Sequence, residues 1–372
     1  MNNQPWIQQK GFSPISLNSS VSVHQDAPEQ LNWKKEGDGF SAVSRAGVWK
    51  MTISESGGRT DLAVSGTLFH AVDHLEFTLF RVPEFSADHV LPQAVRMGGC
   101  QAYDLTRMED SASFTGELLL SLTKDGETLQ CSTPFHGGFP ALFQGIAHAG
   151  GVRDLRIAFP VEYYGGTEIV FPVVSFRSSS DGFSMLEAYA EENRDEKKNF
   201  DSPSAGWNSW DYYRWTITEE EVLSNAEFIA RDPVLSKHVK RIIVDDGWQY
   251  CYGEWEANSF FPSGMKHLAQ ELTKMGFEPG LWFAPAIAEP HSRIAQLDYD
   301  MLARSAGGQP CLAYECMRRF GFVLDPTVRK TEEFMEKMFR RYAEMGYRYF
   351  KLDFLCSIFK APRFSDSNVR RD

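Results

Sequence analysis

Residues 241–246, with the sequence Arg-Ile-Ile-Val-Asp-Asp, form a short apolar run that ends in two acids. A run of this length is typical of a buried strand. The pattern predicts a helix on each side of it, at residues 218–229 and 265–275. The first helix begins at Thr218 and has Glu221 three residues later, which is a capping box. The chain from about residue 205 therefore starts as strand alternating with helix.

The same alternation continues towards the end of the chain. Further strands are predicted at residues 206–210, 279–283, 347–353 and, more weakly, 322–324, with helices at 329–345 and within 291–304. Repeated strand–helix units predict parallel strands covered by helices. An eight-fold barrel typically needs ~250 residues, and residues 205–372 are too few for it. We therefore predict a partial (β/α)8 TIM-type barrel domain at 205–372, with about the first half present.

Residues 1–195 have a different pattern. They are rich in turn residues and contain short stretches in which polar and apolar side chains alternate, such as 48–53, 75–80, 117–122 and 168–174. This period-two pattern predicts antiparallel strands, and many of them in succession favour two packed sheets. A short helix is predicted at 185–192 and a polar linker at 196–204. The predicted fold class is multidomain, β plus α/β: an N-terminal antiparallel β-sandwich followed by the partial barrel.

Composition and charge exclude several classes of function. The 372 residues carry 38 basic and 50 acidic side chains, and a net charge of −12 argues against nucleic acid or an anionic membrane as a partner. No apolar run reaches the ~18 residues of a membrane-spanning helix, and the first 30 residues show no secretory signal. The histidines show no HExxH or HxH spacing, so no metal and no cofactor are predicted.

The cysteines predict a reducing compartment. The six are scattered and form no CxxC pair, which favours buried thiols in a cytoplasmic protein. They are Cys100, Cys131, Cys251, Cys311, Cys316 and Cys356.

Asp353 and Lys351 form the first candidate for catalytic chemistry. They lie two residues apart at the end of a predicted strand, and side-chain alternation places both on one face. An ammonium lowers the pKa of a neighbouring carboxylate, so Asp353 would stay ionised. An ionised carboxylate suits a nucleophile or an electrostatic stabiliser in glycoside hydrolysis. A salt bridge at a strand end is the alternative interpretation.

Asp245 and Asp246 form the second candidate. Adjacent carboxylates repel one another unless donors or a cation accept them, and sugar hydroxyls are good donors to a carboxylate. A helix N-cap, a turn or a divalent metal site are the alternatives, although no further ligand cluster supports a metal.

Three indoles lie near the predicted strand ends, at Trp207, Trp210 and Trp282. A flat apolar ring complements the CH face of a pyranose, whereas the alternative role is filling the barrel core. In a β/α barrel the carboxyl ends of the strands line the mouth of the active site. Polar and aromatic residues from several strands are therefore expected to converge there.

Four segments, taken in order, resemble the α-galactosidases of glycoside hydrolase family 36, whose general plan is shared by family 27. They are residues 206–210 (GWNSW), 244–249 (VDDGWQ), 280–283 (GLWF) and 350–354 (FKLDF). Residues 261–265 and 324–327 also look like family landmarks. The likeness covers residues 205–355, whereas in the first 200 residues only 98–101 faintly resembles a family segment. The resemblance implies an N-terminal β-sandwich before a barrel.

The resemblance implies a retaining glycoside hydrolase that releases terminal α-linked galactose from oligosaccharides or glycoconjugates through a covalent glycosyl–enzyme intermediate. It implies that Asp353 is the nucleophile. The residues that would bind the terminal sugar or form walls of its subsite are Lys351, Asp245, Asp246, Trp210 and Trp282. The second carboxyl of the family, the acid/base, lies on a later strand, and no residue here matches it. This absence predicts a chain truncated after the fourth strand.

One departure from the family pattern affects specificity. Many members have Gly-Leu-Trp-Phe-Glu-Pro-Glu where this chain has methyl groups at Ala284 and Ala286. The alternatives are an α-N-acetylgalactosaminidase, an α-glucosidase, a raffinose-synthase-type galactosyltransferase or, if the chain truly ends at 372, a non-catalytic carbohydrate-binding protein. The expected partner is a carbohydrate with terminal α-galactose, with no nucleic acid and no membrane, and the resemblance is compatible with a homo-oligomer.

Overall fold

The computed structural model describes residues 4–24, 26–93, 101–135, 138–194, 205–305, 307–316, 319–361 and 364–366. The chain divides into two compact units at residues 197 and 198. The predicted linker at 196–204 and residues 98–100 of the weak N-terminal match lie outside the described residues.

The described part of the first unit consists mainly of antiparallel strands. In chain order, β1 to β18 are Trp6–Ile7, Ile15–Ser16, Ser20–Val23, Glu29–Gln30, Lys34–Glu36, Gly39–Val43, Gly47–Ser56, Arg59–Leu68, Val72–Ser86, His89–Gln93, Tyr103–Asp104, Ala112–Gly116, Leu119–Lys124, Glu127–Ser132, Leu142–His148, Gly151–Tyr164, Glu168–Val170 and Val174–Ser179. The stretches predicted at 48–53, 75–80 and 117–122 fall on β7, β9 and β13 with bounds shifted by a few residues, whereas 168–174 is divided between β17 and the start of β18.

Two large sheets share one hydrophobic core. A ten-stranded sheet runs in the order β11-β10-β13-β14-β18-β8-β7-β6-β5, with β17 also paired to β8, and a six-stranded sheet runs β12-β15-β16-β9-β3-β4. Buried side chains from both sheets belong to the same core, including Trp49 on one sheet and Phe77 on the other, with ring centroids 4.9 Å apart. This arrangement is the predicted β-sandwich. A helix, α1 (Gly182–Glu192), follows it and begins where Asp181 accepts a hydrogen bond from the Ser184 N–H.

The second unit alternates between strands and helices. Its strands β19 to β27 are Ala205–Asn208, Val239–Val244, Gln249–Cys251, Glu254–Ala257, Glu278–Phe283, Ile287–Ala288, Leu312–Cys316, Arg319–Val323 and Tyr349–Leu352. Its helices α2 to α7 are Trp210–Tyr213, Glu219–Arg231, Leu235–His238, Met265–Lys274, Arg293–Leu297 and Arg329–Met345. Short 3₁₀ turns lie at Arg214–Thr216, Tyr299–Met301 and Leu355–Lys360.

Four parallel strands form the sheet that carries the predicted site. Their order is β19-β20-β23-β27, so each strand pairs with the next parallel strand along the chain. Helices α3, α5 and α7 bury apolar faces in one core with these strands. The capping box at Thr218 and Glu221 begins α3 as predicted.

Two predicted elements of the second unit need correction. The strand predicted at 206–210 ends at Asn208, because the Asn208 side chain accepts the Trp210 N–H at 2.8 Å and turns the chain into a helix. The strand predicted at 322–324 belongs to an antiparallel three-stranded sheet, β24-β26-β25, and not to the parallel sheet. The helix predicted within 291–304 is confirmed as α6, which a 3₁₀ turn follows.

Two further observations bear on the sequence-based expectations. No described helix combines the length and the apolar character needed to cross a membrane. Cys131, Cys251 and Cys311 are buried as predicted, whereas Cys356 is exposed.

Candidate active site

The carboxyl ends of the parallel strands bring several predicted residues together. Val244 pairs with Leu281, and Trp282 pairs with Lys351, along neighbouring strands. Asp245, the residue after Val244, therefore lies at the level of Trp282 and Lys351. This juxtaposition follows from the parallel register, because equivalent positions on adjacent strands share one edge of the sheet.

Asp245 is the centre of a buried hydrogen-bond network. It is 2% exposed, and its Oδ2 accepts from Asn208 Nδ2 and from Lys351 Nζ, both at 2.7 Å. Its Oδ1 accepts the Asp246 N–H at 2.9 Å, and its own N–H donates to Ser209 Oγ. A buried carboxylate needs such donors, because removing a charge from water is costly unless it is paired. The lysine predicted to act beside Asp353 thus forms its ion pair with Asp245.

Asp246 has donors on both of its oxygens. It is 3% exposed, and its Oδ2 accepts from Trp215 Nε1 at 2.6 Å and from the Tyr252 hydroxyl at 2.5 Å. Its Oδ1 accepts from Gln249 Nε2 at 2.5 Å. These protein donors hold the carboxylate in one orientation. A sugar hydroxyl that binds Asp246 directly, as predicted from the sequence, therefore has to share a carboxylate to which three side chains already donate.

Asp353 lies half-buried, directly after β27. Its Oδ2 accepts from Trp282 Nε1 at 3.1 Å, and its Oδ1 accepts the N–H of Phe354 at 2.9 Å. Phe354 has a φ of 54°, a left-handed conformation that is uncommon for a residue with a side chain. The carboxylate is thus held by one indole N–H and one backbone N–H. It lies at a turn in which Phe354 has the left-handed conformation.

Trp282 has a different place from the one predicted. It is 1% exposed, with neighbouring rings at Tyr252, Trp255 and Phe354. A ring covered in this way cannot offer a face to a pyranose, so its direct contribution in this structure is the N–H that holds Asp353. This corrects the prediction that it forms a wall of the sugar subsite.

Trp210 is half-buried and remains available as a wall. The Arg214 guanidinium lies 4.9 Å from the centroid of its ring, and Trp215 meets it edge-to-face at 5.4 Å. Gly247 packs under this segment: its φ is 127°, and a Cβ there would lie 2.9 Å from the Trp215 Cα. The glycine of the DDGW segment therefore lets Trp215 approach closely enough to reach Asp246. Trp207 is also half-buried, and its nearest described ring is Tyr213, 6.2 Å away.

Sequence reasoning missed several residues that organise the carboxylates. Asn208 and Gln249 lie inside the segments 206–210 and 244–249 that resemble family 36. The sequence therefore pointed to these positions, but it did not predict which residues they contact. Trp215 and Tyr252 lie outside those segments, and their roles depend on tertiary contacts that no local pattern reveals.

Known proteins with similar sequences or folds are α-galactosidases. An α-galactosidase of Schizosaccharomyces pombe, mel1, is 30% identical over 152 residues, which cover 34% of this chain and 35% of that protein. The Thermus thermophilus α-galactosidase TtGalA, solved with p-nitrophenyl α-D-galactopyranoside, has a TM-score of 0.63 at 22% identity, over 87% of this chain and 64% of that one. The family 36 α-galactosidase AgaA of Geobacillus stearothermophilus has a TM-score of 0.58 at 15% identity, covering 90% and 54%.

The named relatives and the structural neighbours are glycosidases. More particularly, the chain is similar in sequence and in fold to the α-galactosidases of glycoside hydrolase family 36. It spans about a third of the length of the first curated relative and just under two thirds of TtGalA. No protein-family model matches the chain.

Proposed function

We propose that the protein is a retaining glycoside hydrolase that releases terminal α-linked galactose. The observation that carries this proposal is the set of carboxylates at the strand ends, each held by directed donors. Asp353 acts as the nucleophile: its carboxylate attacks the anomeric carbon, the bond to the leaving oxygen breaks, and a covalent glycosyl–enzyme forms. Water then hydrolyses this intermediate with net retention.

The surrounding residues divide the task of binding and positioning. Lys351 donates one hydrogen bond to Asp245, so the other protons of its ammonium can reach sugar hydroxyls. Trp210 provides an indole face at the rim. Asp246 acts mainly by fixing the positions of Trp215 and Tyr252, which both donate to its Oδ2.

We further propose that the four parallel strands are the first half of a (β/α)8 barrel. The order of the strands and the helices between them support this interpretation, because polar residues collect at the carboxyl ends of the strands as they do in such barrels. The acid/base that protonates the leaving group is then supplied from a later strand. A cytoplasmic location and a homo-oligomeric state remain part of the proposal.

An aryl α-galactoside assay of the full-length protein tests the nucleophile. Asp353→Asn should lower kcat/KM by at least about 10³-fold, because loss of a nucleophile removes the covalent route. The exposed acid Asp300 provides a matched control, and Asp300→Asn should leave turnover unchanged. A mechanism-based fluorogalactoside should label the peptide that contains Asp353. Turnover that survives in Asp353→Asn would remove the assigned nucleophile.

Ala284 and Ala286 favour a second candidate function. Both methyl groups are buried where many family 36 members carry carboxylates, and removing carboxylates changes which hydroxyls a site can bind. An α-N-acetylgalactosaminidase, an α-glucosidase or a galactosyltransferase on the same scaffold is the alternative. A panel of aryl glycosides, assayed with and without sucrose as an acceptor, distinguishes them: preference for the galactoside and simple hydrolysis support the first proposal.

A further inference from the structure

A cysteine, a glutamate and a histidine converge beside the candidate active site. Cys251 ends the short strand β21, and Glu289 and His291 follow β24. One potential ligand atom from each residue lies within 4.8 Å of those of the other two. Within the described parts of the chain, this is the group of His, Cys, Asp and Glu side chains whose spacing suits a metal ion.

Backbone contacts hold the two segments of this cluster together. The Glu289 N–H donates to the Tyr252 carbonyl at 2.9 Å, and the Tyr252 N–H donates to Glu289 Oε2 at 3.1 Å. Gly253 turns the hairpin with a φ of 87°, and a Cβ there would lie only 3.1 Å from the Ala288 Cα. The donor atoms are therefore placed by a close backbone pairing and not by flexible side chains alone.

The donor set and its burial point to zinc. We propose that Cys251, Glu289 and His291 bind one zinc ion, with a fourth position open to solvent. Thiolate, imidazole and carboxylate are the ligands that zinc takes in proteins. Cys251 and Glu289 are buried, so their ligand atoms are shielded from bulk water. The side chain of His291 is 58% exposed, so the site has an entry path.

The three ligand atoms, which lie within 4.8 Å of one another, have to move closer together on binding. Ligand atoms in a tetrahedral zinc site lie about 3.3–3.5 Å apart, given the usual bond lengths. His291 Nε2 and Glu289 Oε2 are 3.9 Å apart. Rotation of the exposed imidazole can close this gap without moving the paired backbone.

A bound ion would also support the candidate active site. Tyr252 follows Cys251 directly, donates its N–H to Glu289 and donates its hydroxyl to Asp246 at 2.5 Å. Tightening the cluster therefore fixes the ring that orients Asp246. Zinc binding itself does not depend on the proposed glycosidase function, and only this last consequence rests on it.

Titration of the metal-depleted full-length protein with Co²⁺ tests the site. Saturation at one equivalent is expected, with a thiolate-to-cobalt charge-transfer band and intense visible bands of a four-coordinate ion. Cys251→Ser should abolish the charge-transfer band, whereas Cys356→Ser, at an exposed position, should retain it. Zinc should displace cobalt, and zinc should raise the melting temperature of the depleted protein.

His291→Gln provides a second measurement at an exposed position, where folding is not at risk. It should weaken cobalt binding by at least ~10–100-fold, which is the loss of metal affinity that follows mutation of a residue that only contacts a ligand. A charge-transfer band that persists in Cys251→Ser would overturn the assignment. The absence of saturable cobalt binding by a folded wild-type protein, or unchanged affinity in His291→Gln, would overturn it equally. None of these readouts uses enzymatic activity, so a failed glycosidase assay leaves them interpretable.

Discussion

The aromatic side chains of the two units are used differently, although the ring types are the same. In the first unit, Phe171 stacks on Trp49 at 6.3 Å and on Phe159 at 4.5 Å. The Trp49 N–H is satisfied by Ser44 Oγ at 2.9 Å, a neutral partner. In the second unit, the N–H groups of Trp215 and Trp282 donate to carboxylates.

The carboxylates differ between the units in the same way. Asp88 of the first unit accepts from Lys124 at 2.8 Å while it is only half-buried. Asp245 of the second unit accepts from Lys351 at 2.7 Å while it is buried. The comparison teaches that an aromatic-rich composition has two uses, apolar packing and the orientation of buried charge. We expect substitutions in the first unit to act on stability and substitutions at the strand ends of the second to act on activity.

The largest expected effect is on the stability of the first unit. Trp49→Ala should lower the free energy of unfolding by about 3–5 kcal/mol, because it removes a fully buried ring and leaves a cavity. Urea unfolding followed by near-ultraviolet circular dichroism measures it. Trp6→Ala, at a 58% exposed position of the same unit, should stay within about 0.5 kcal/mol of wild type. A change of under about 1 kcal/mol for Trp49→Ala would mean that this core is not the main source of stability.

The next effect is on activity. Tyr252→Phe removes one of the donors to Asp246, and hydrogen bonds to charged groups are worth about 1.5–3 kcal/mol. If that orientation matters in the transition state, kcat/KM for an aryl α-galactoside should fall about 10- to 100-fold. Tyr250→Phe removes a hydroxyl from an exposed neighbour and should be silent. Equal activity of the two variants would show that Asp246 needs no such support.

The sequence predicts some features of the second unit better than others. The bounds of α7 were predicted correctly, because an apolar period ends at Gly346, whose φ of 114° suits a glycine at a helix end. Asp245 and Lys351 were chosen as site residues from their strand-end positions and from the family resemblance. Their pairing was not predicted, because the two residues are 106 positions apart and meet only through the parallel register.

The smallest expected effect is the pH dependence of the pair formed by Asp88 and Lys124. The Lys124 ammonium, and next the Asp125 N–H, hold the pKa of Asp88 below its ordinary value of 3.8. A depressed pKa means that the pair stabilises the fold above pH 3.8, and that this contribution is lost as the pH falls through the folded-state value. The melting temperature of Asp88→Asn should therefore lie slightly below that of wild type at pH 7, and the difference should vanish in acid. Asp38→Asn, at an exposed acid of the same unit, should show no such convergence. A difference that persists in strong acid would assign the effect of Asp88→Asn to something other than its charge.

The left-handed backbone at Phe354 carries an energetic consequence. A residue with a side chain in that conformation costs roughly 1–2 kcal/mol relative to the right-handed one. Glycine would adopt the turn at less cost, yet it would lose the ring contacts to Tyr252 and Trp282. The chain thus keeps an unfavourable backbone conformation next to Asp353. In a variant selected only for heat resistance, we expect Phe354 to be replaced first, and the Asp353 carboxylate would then be held less precisely.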